Sequence, residues 1–495
     1  MGWPRRTFTD YFEGEAVRVS QRFALGAAQS QLEFVDIDLE SDTPLFVDPR
    51  ALRLLDSEWA EECVALIQDF FRVVLDKIAN GHDDEAKRLL RVLREPNETH
   101  LGLSRGRPRG HGLGYESAGD LWEALSESEA VTSGLLEDLE DTILMIPGVS
   151  NDIISDIATN IIRRPLIEFT VESCEYHGIP LMANVSSGPM WNPVSHSWET
   201  RYVSLPVVDG TRLILVPKAI VRKRLEYNPE DYFNNYILEA LREYELSANS
   251  ELVELLRNGN VRVTKKALRE KYGTGKDVIV RLTREHPELL DRYRAAKRAS
   301  PLRPLSNSEL SEGVIGENMD WDALLNAVTR LSPGSADADA YHRAIEALFQ
   351  ALFYPSLVNP VRESRLHDGR KRIDIRFTNS ARDGFFWRIH NHHNVQAGFV
   401  VVECKNYSED VTNPELDQIA GRFSPTRGRL GLLVFRTADN WSTCLARCRD
   451  AFHDDRGWVL PIRDEDLESL VAERRQNADS NAYQLLEDRF AEVIS

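Results

Sequence analysis

The stretch Gly398-Phe-Val-Val-Val-Glu-Cys-Lys-Asn406 constrains this 495-residue chain more than any other. Phe399 to Val402 is an unbroken apolar run rich in β-branched residues, the composition of a strand buried on both faces of a mixed sheet. Side chains alternate along a strand, so Glu403 and Lys405 emerge on one face. A carboxylate and an ammonium at the end of a buried strand are expensive to hold there without a function. Upstream, Arg372-Ile-Asp-Ile-Arg376 alternates in the same way, with Ile373, Ile375 and Phe377 on one side and Asp374 on the other. Were the two strands neighbours, Asp374 and Glu403 would converge, with Lys405 pointing into the same cleft. Two carboxylates beside a lysine suit a hard cation placed next to a phosphate.

Asp374 followed by Glu403-Cys404-Lys405 resembles the PD-(D/E)XK superfamily of restriction-endonuclease-like nucleases. Two further residues carry the resemblance: Glu346 on the preceding helix, in Tyr341-His-Arg-Ala-Ile-Glu-Ala-Leu-Phe-Gln350, and Gln418 on the following one, in Pro414-Glu-Leu-Asp-Gln-Ile-Ala420. Ile373 stands where the namesake proline would be, and the similarity covers only the last third of the chain. The resemblance implies an α-β-β-β-α-β core in which Asp374, Glu403 and the backbone carbonyl of Cys404 hold Mg²⁺ or Mn²⁺. It implies that Lys405 orients a water or stabilises the transition state. Glu346 would act through water or a second metal, and Gln418 would position a ligand or the substrate. By analogy with fusions in bacterial restriction and anti-phage systems, it also implies a DNA endonuclease working with partner subunits or as a homo-oligomer. The alternative is a non-catalytic nucleic-acid-binding or scaffold subunit built on a degenerate nuclease fold.

Net charge is −19, so any nucleic-acid contact must come from local basic faces. Arg362, Arg365, Arg370, Lys371, Arg372 and Arg376 lead directly into the Asp374 strand and are expected to touch DNA. Between 261 and 304, Lys and Arg outnumber Asp and Glu, making a second candidate face. Five scattered cysteines make no disulfide framework and point to a reducing cytoplasm. No apolar run reaches membrane-spanning length.

The expected architecture is a large, mostly helical α+β region before an α/β domain. It divides into 1–225 as a sensor or targeting domain, 226–300 as a basic helical segment, 301–336 as a linker and 337–495 as the nuclease-like domain. Leu32 to Leu39 alternates like a strand, and Asp36, Asp38, Asp42 and Asp48 read as turn and strand-face carboxylates rather than a metal cluster. Ser57 is positioned to cap a helix with a Trp59, Cys63, Leu66, Phe70 stripe. Residues 97–116 interleave glycines with Arg105, Arg107 and Arg109 but lack the ending of a P-loop. Asp152, Ser155, Asp156 and Asn160 share one helix face. Helices are expected over Ser250–Asn258, Thr264–Tyr272 and Lys276–Lys297, the last two resembling a helix-turn-helix pair. In the last domain, strands are expected at Leu357–Val361, Arg372–Phe377, Phe385–Ile389, Phe399–Lys405, Leu430–Phe435 and Val459–Ile462. Asn413 is expected to cap a helix that has Pro414 at its first position.

Overall fold

The computed structural model describes residues 17–55, 57–102, 124–126, 128–132, 135–258, 260–299, 303–362, 375–393, 395–407, 409–424, 428–478 and 480–495. Among these residues the chain is mixed α/β, about half helical, with one five-stranded sheet near its carboxyl end and four two-stranded pairings.

The first half is built on helices α1 (Glu58–Ala79), α2 (Asp83–Leu90), α3 (Asn151–Ile161) and α4 (Arg163–His177). Ser57 caps α1 by accepting from the Ala60 amide, and Cys63, Leu66, Ile67, Phe70 and Val74 line its buried stripe. The break between α3 and α4 falls at Ile162; Pro165 then sits in the first turn of α4, where its missing N–H leaves nothing unsatisfied. Strands β1 (Met182–Asn192) and β2 (Ser197–Leu205) make a long hairpin.

Leu32–Leu39 is no strand. Leu32, Phe34, Val35 and Ile37 are buried, but the backbone is tied by side chains: the Asp36 carboxylate accepts from the Ser20 amide (2.8 Å) and hydroxyl (2.5 Å), and Gln29 accepts from the Asp36 amide (2.7 Å). Asp48 caps the short helix Pro49–Arg53, and Asp38 accepts from the Glu40 amide and the Ser41 hydroxyl, so three of the four early aspartates hold local structure. Ser250–Asn258 is not a helix either. It enters the hairpin of β3 (Glu254–Leu255) and β4 (Val261–Arg262); the Asn-Gly pair in the sequence at its end favours such a connection. After α5 (Lys265–Tyr272), capped by Thr264, the expected single long helix is two, α6 (Lys276–Glu285) and α7 (Glu288–Ala299). Pro287 cannot continue the ladder and stops α6.

The stretch 301–336 carries the short helix Asn307–Leu310 and then α8 (Trp321–Thr329). From there the order is α9 (Ala338–Phe353), β5 (Leu357–Arg362), β6 (Ile375–Asn379), α10 (Gly384–Asn391), β7 (Phe399–Lys405), α11 (Asn413–Ala420), β8 (Leu430–Phe435), α12 (Trp441–His453), β9 (Trp458–Arg463), α13 (Asp464–Gln476) and α14 (Gln484–Ile494). The strands lie in the order β9-β8-β7-β6-β5, with β5, β6 and β7 antiparallel and β7, β8 and β9 parallel. Phe385–Ile389, expected as a strand, is α10: Phe385, Phe386 and Ile389 are buried at helical spacing. Asn413 is the first residue of α11 rather than its cap; Thr412 precedes it, its amide and hydroxyl donating to Glu415.

Buried apolar side chains form two clusters. One runs from Val19 to Leu310 and takes in Tyr354 and Val358; the other runs from Leu324 to Val493 around the five-stranded sheet. Helix α9 spans the seam. Ile345, Leu348, Phe349 and Leu352 enter the second cluster, each burial being worth about 2 kcal/mol. At its far end the Asn307 amide donates to the Gln350 and Ala351 carbonyls. Lys218 is buried in the same seam. Its ammonium donates to Ser30 O and Asn307 Oδ1, lies 4.3 Å from the Tyr354 ring centre, and has its pKa pushed by burial from 10.5 to about 7.

Candidate functional site

Strand β7 places Glu403 and Lys405 on one face, as alternation requires, and α11 covers that face: a Cβ added at Gly431, which pairs with Val401, would meet Ile419. Lys405 Nζ donates to Glu403 Oε1 at 2.6 Å and to Gln418 Oε1 at 2.8 Å. Three of the residues singled out from sequence therefore meet in one hydrogen-bonded group. The group is buried: the side chain of Glu403 is 0% exposed and that of Lys405 5%. A buried charge needs a partner, and each of the two supplies one for the other.

The carbonyl of Cys404 accepts from His342 Nε2 at 2.9 Å, which fixes the end of β7 against α9. The Cys404 thiol is pushed well above the usual range by burial and by the nearby Glu403 and Glu346 carboxylates, so it stays protonated. Glu346 is also buried. Its Oε2 accepts from the Tyr176 hydroxyl of α4 at 2.8 Å, and Arg343 lies over the Tyr176 ring at 5.7 Å. His342 and Tyr176 were not anticipated. His342 lies four residues before Glu346, a spacing that shares a helix face and could have been read; Tyr176 comes from the other cluster and carried no local signal.

Beyond Lys405, the Asn406 side chain donates to the Ser332 and Gly334 carbonyls, holding the loop before α9 against the end of β7. Arg436, just past β8, donates to the Val328 and Leu331 carbonyls and pairs with Asp464, whose carboxylate also accepts from Tyr341 (2.8 Å). These contacts gather α8, α9 and α13 at the carboxyl ends of the parallel strands.

Arg376 lies on β6 opposite Val401, its guanidinium 4.6 Å from the Phe399 ring centre. It faces an interlobe cleft of ≈ 420 Å³ that also touches α1 and α4. Asp374, Arg370, Lys371 and Arg372 lie outside the described residues, as do Arg105, Arg107, Arg109 and Arg365. Among the described residues no three His, Cys, Asp or Glu side chains are grouped to hold a metal. The oxygen donors that β7 itself offers, the Glu403 carboxylate and the Cys404 carbonyl, are of the type a hard cation takes, whereas the protonated thiol is not a ligand.

The second basic face is neutralised in part. Arg262 pairs with Glu254, Lys265 with Glu239, Lys271 with Glu245, Arg294 with Asp141 and Lys297 with Asp231. The start of α6, which a helix-turn-helix would offer to a groove, is docked instead, Lys276 donating to the Ile146 and Val149 carbonyls. The polar face of α3 is a buried hydrogen-bond network: Ser155 accepts from the Val47 amide, and Asn160 bonds Arg94 O and Arg163. His390 accepts from the Ala397 amide, while His392 and His393 pack on Trp387 and Phe490.

A family model described as a domain of unknown function (DUF8370) matches residues 24–228. No curated protein and no solved structure matches the chain. No helix among the described residues is long and apolar enough to cross a membrane.

Proposed function

We propose that the β7 group is the site of a Mg²⁺- or Mn²⁺-dependent nuclease that hydrolyses phosphodiester bonds of DNA, with residues 24–228 as a regulatory or targeting module. The observation that carries this reading is Lys405 held between Glu403 and Gln418 at the carboxyl end of a buried strand. The surroundings support it: a helix bearing Glu346 precedes the sheet, three antiparallel strands follow, and α11 leads to a parallel strand. Asp374 is the reading's second carboxylate; β6 enters the sheet at Ile375 opposite Val402, the residue before Glu403.

On this reading Glu403, Asp374 and the Cys404 carbonyl would hold the cation, which when bound would neutralise charge on the scissile phosphate. His342 fixes the direction of that carbonyl. Lys405 presents a charge at the position where negative charge grows in the transition state, and Gln418 limits its rotamers. Arg376, with Arg370, Lys371 and Arg372, would contact the phosphate backbone. A setting in bacterial restriction or anti-phage defence, in the cytoplasm and with partner subunits or a second copy, belongs to the same reading.

One observation favours the second reading, a non-catalytic binding or scaffold subunit: the Glu403–Lys405 pair is buried. Plasmid incubated with Mg²⁺ separates the two. Wild type should nick it while Asp374→Ala and Lys405→Ala do not; equal nicking by all three, or none by wild type, removes the enzyme.

A further inference from the structure

The interlobe cleft that Arg376 faces holds ≈ 420 Å³. Clefts of about 300–1,000 Å³ lined by apolar rings and a few polar groups are the usual shape of small-molecule sites. The first lobe contributes Trp59 of α1 and Phe169 of α4; the second contributes Val361 of β5, Arg376 of β6 and Phe399 of β7. Trp59 and Phe169 pack as a tilted pair with ring centres 6.3 Å apart, and the Trp59 indole N–H is tied to Pro165 O at 3.1 Å. These two rings and Phe399 are only half-buried, which leaves flat apolar surface in the cleft. The edge strand β5 carries one residue more than β6 between Val358 and Val361, and Asn359 and Pro360 at this bulge line the cleft as well.

Arg376 is the group in this cleft that lacks a counterpart. Its guanidinium lies over the Phe399 ring, its Nε is buried without an acceptor, and it holds no ion pair among the described residues. A guanidinium offers a fork of N–H donors that suits a carboxylate or a phosphate. From the first lobe, Glu58 and Glu168 line the same cleft; both are exposed and hold no hydrogen bond or ion pair among the described residues. A molecule in the cleft therefore meets aromatic surface from both lobes, a cation from the second and acceptor oxygens from the first.

We propose that this cleft binds a small, flat aromatic molecule that carries one acidic group for Arg376 and N–H donors for Glu58 or Glu168. Nucleoside monophosphates and aromatic amino acids both have that chemistry. The site stands without the nuclease reading. On that reading, which gives Arg376 to the DNA backbone, the small ligand takes the same guanidinium and competes with DNA.

The test is calorimetric titration of the full-length protein with the nucleoside 5′-monophosphates, with tryptophan, tyrosine and phenylalanine, and with inorganic phosphate as a probe that has no ring. At least one aromatic probe should bind at a single site and raise the melting temperature, and phosphate should not, because it leaves the rings unused. The probe that binds names the source of the ligand. Arg376→Gln should weaken that binding about ten-fold and Glu168→Gln less. Arg257→Gln removes an exposed arginine that does not line the cleft and should leave binding as in wild type. No binding by any aromatic probe overturns the proposal, as does binding that Arg376→Gln leaves unchanged. Probe binding that leaves the affinity for a labelled DNA duplex unchanged keeps the cleft site and removes Arg376 from the DNA contacts.

Discussion

Lys405 shows how a single side chain can be read from sequence and still need the fold to be understood. Its ammonium is almost fully buried, and its partners are a carboxylate two residues away on the same strand and an amide from α11. Removing one member of a buried pair leaves the other charged and unpaired, which costs about 3–5 kcal/mol, whereas replacing both is close to neutral. Lys405→Met should therefore destabilise the protein by about 3 kcal/mol in urea unfolding, and adding Glu403→Gln should recover most of the loss. A single variant as stable as wild type would mean that the pair is not buried as described. Glu403 and Lys405 were legible because strand periodicity fixes where they emerge, and Gln418 was singled out only through the resemblance. His342 was half legible, since helix spacing places it beside Glu346 but nothing local says that it will meet the Cys404 carbonyl. Tyr176 was not legible, because its partner lies 170 residues away and no local pattern encodes that meeting.

At the scale of elements, the strands that proved readable are those with continuous apolar runs, β7 and β8 above all. Their burial on both faces leaves no competing pattern. The misreadings share a cause: short apolar sequences satisfy either period. Phe385-Phe-Trp-Arg-Ile389 fits a strand until Phe385, Phe386 and Ile389 are seen buried together, and Ser250–Asn258 fits a helix until the Asn-Gly sequence at its end is weighed. The entry to β8 depends on Gly428, whose φ is +90° and whose absent Cβ would otherwise meet the Phe399 carbonyl oxygen. Both the conformation and the close approach require glycine. Gly428→Ala should cost about 2 kcal/mol and loosen β7 against β8. Amide exchange in Val400–Lys405 reads that loosening; protection equal to wild type would refute it.

The whole molecule is two hydrophobic clusters joined across α9, and the joint contains an ionisable group. Lys218 gives up its proton near pH 7 when folded but only near pH 10.5 when unfolded. Between those values the unfolded chain binds more protons, so this lysine's penalty shrinks as pH rises; below pH 7 the penalty is complete and constant. Lys218→Met should thus gain stability relative to wild type at pH 7, with the difference between their melting temperatures narrowing toward about pH 10. A difference independent of pH would show that Lys218 is solvated. Nothing in the sequence announced this joint, because a buried lysine in a seam has the same sequence signature as one on a surface.

Tyr354 and Val358 directly follow Phe353 and Leu357, yet the first two belong to one cluster and the last two to the other. The polypeptide is thus stitched through both interiors within a single turn and the strand after it. Pulling either interior apart drags an aromatic ring out of its neighbour, so neither half can be heated to melting alone. Calorimetry on the intact chain should record one endotherm, and splitting the gene at the apparent waist would yield two fragments, each lacking part of its own packing.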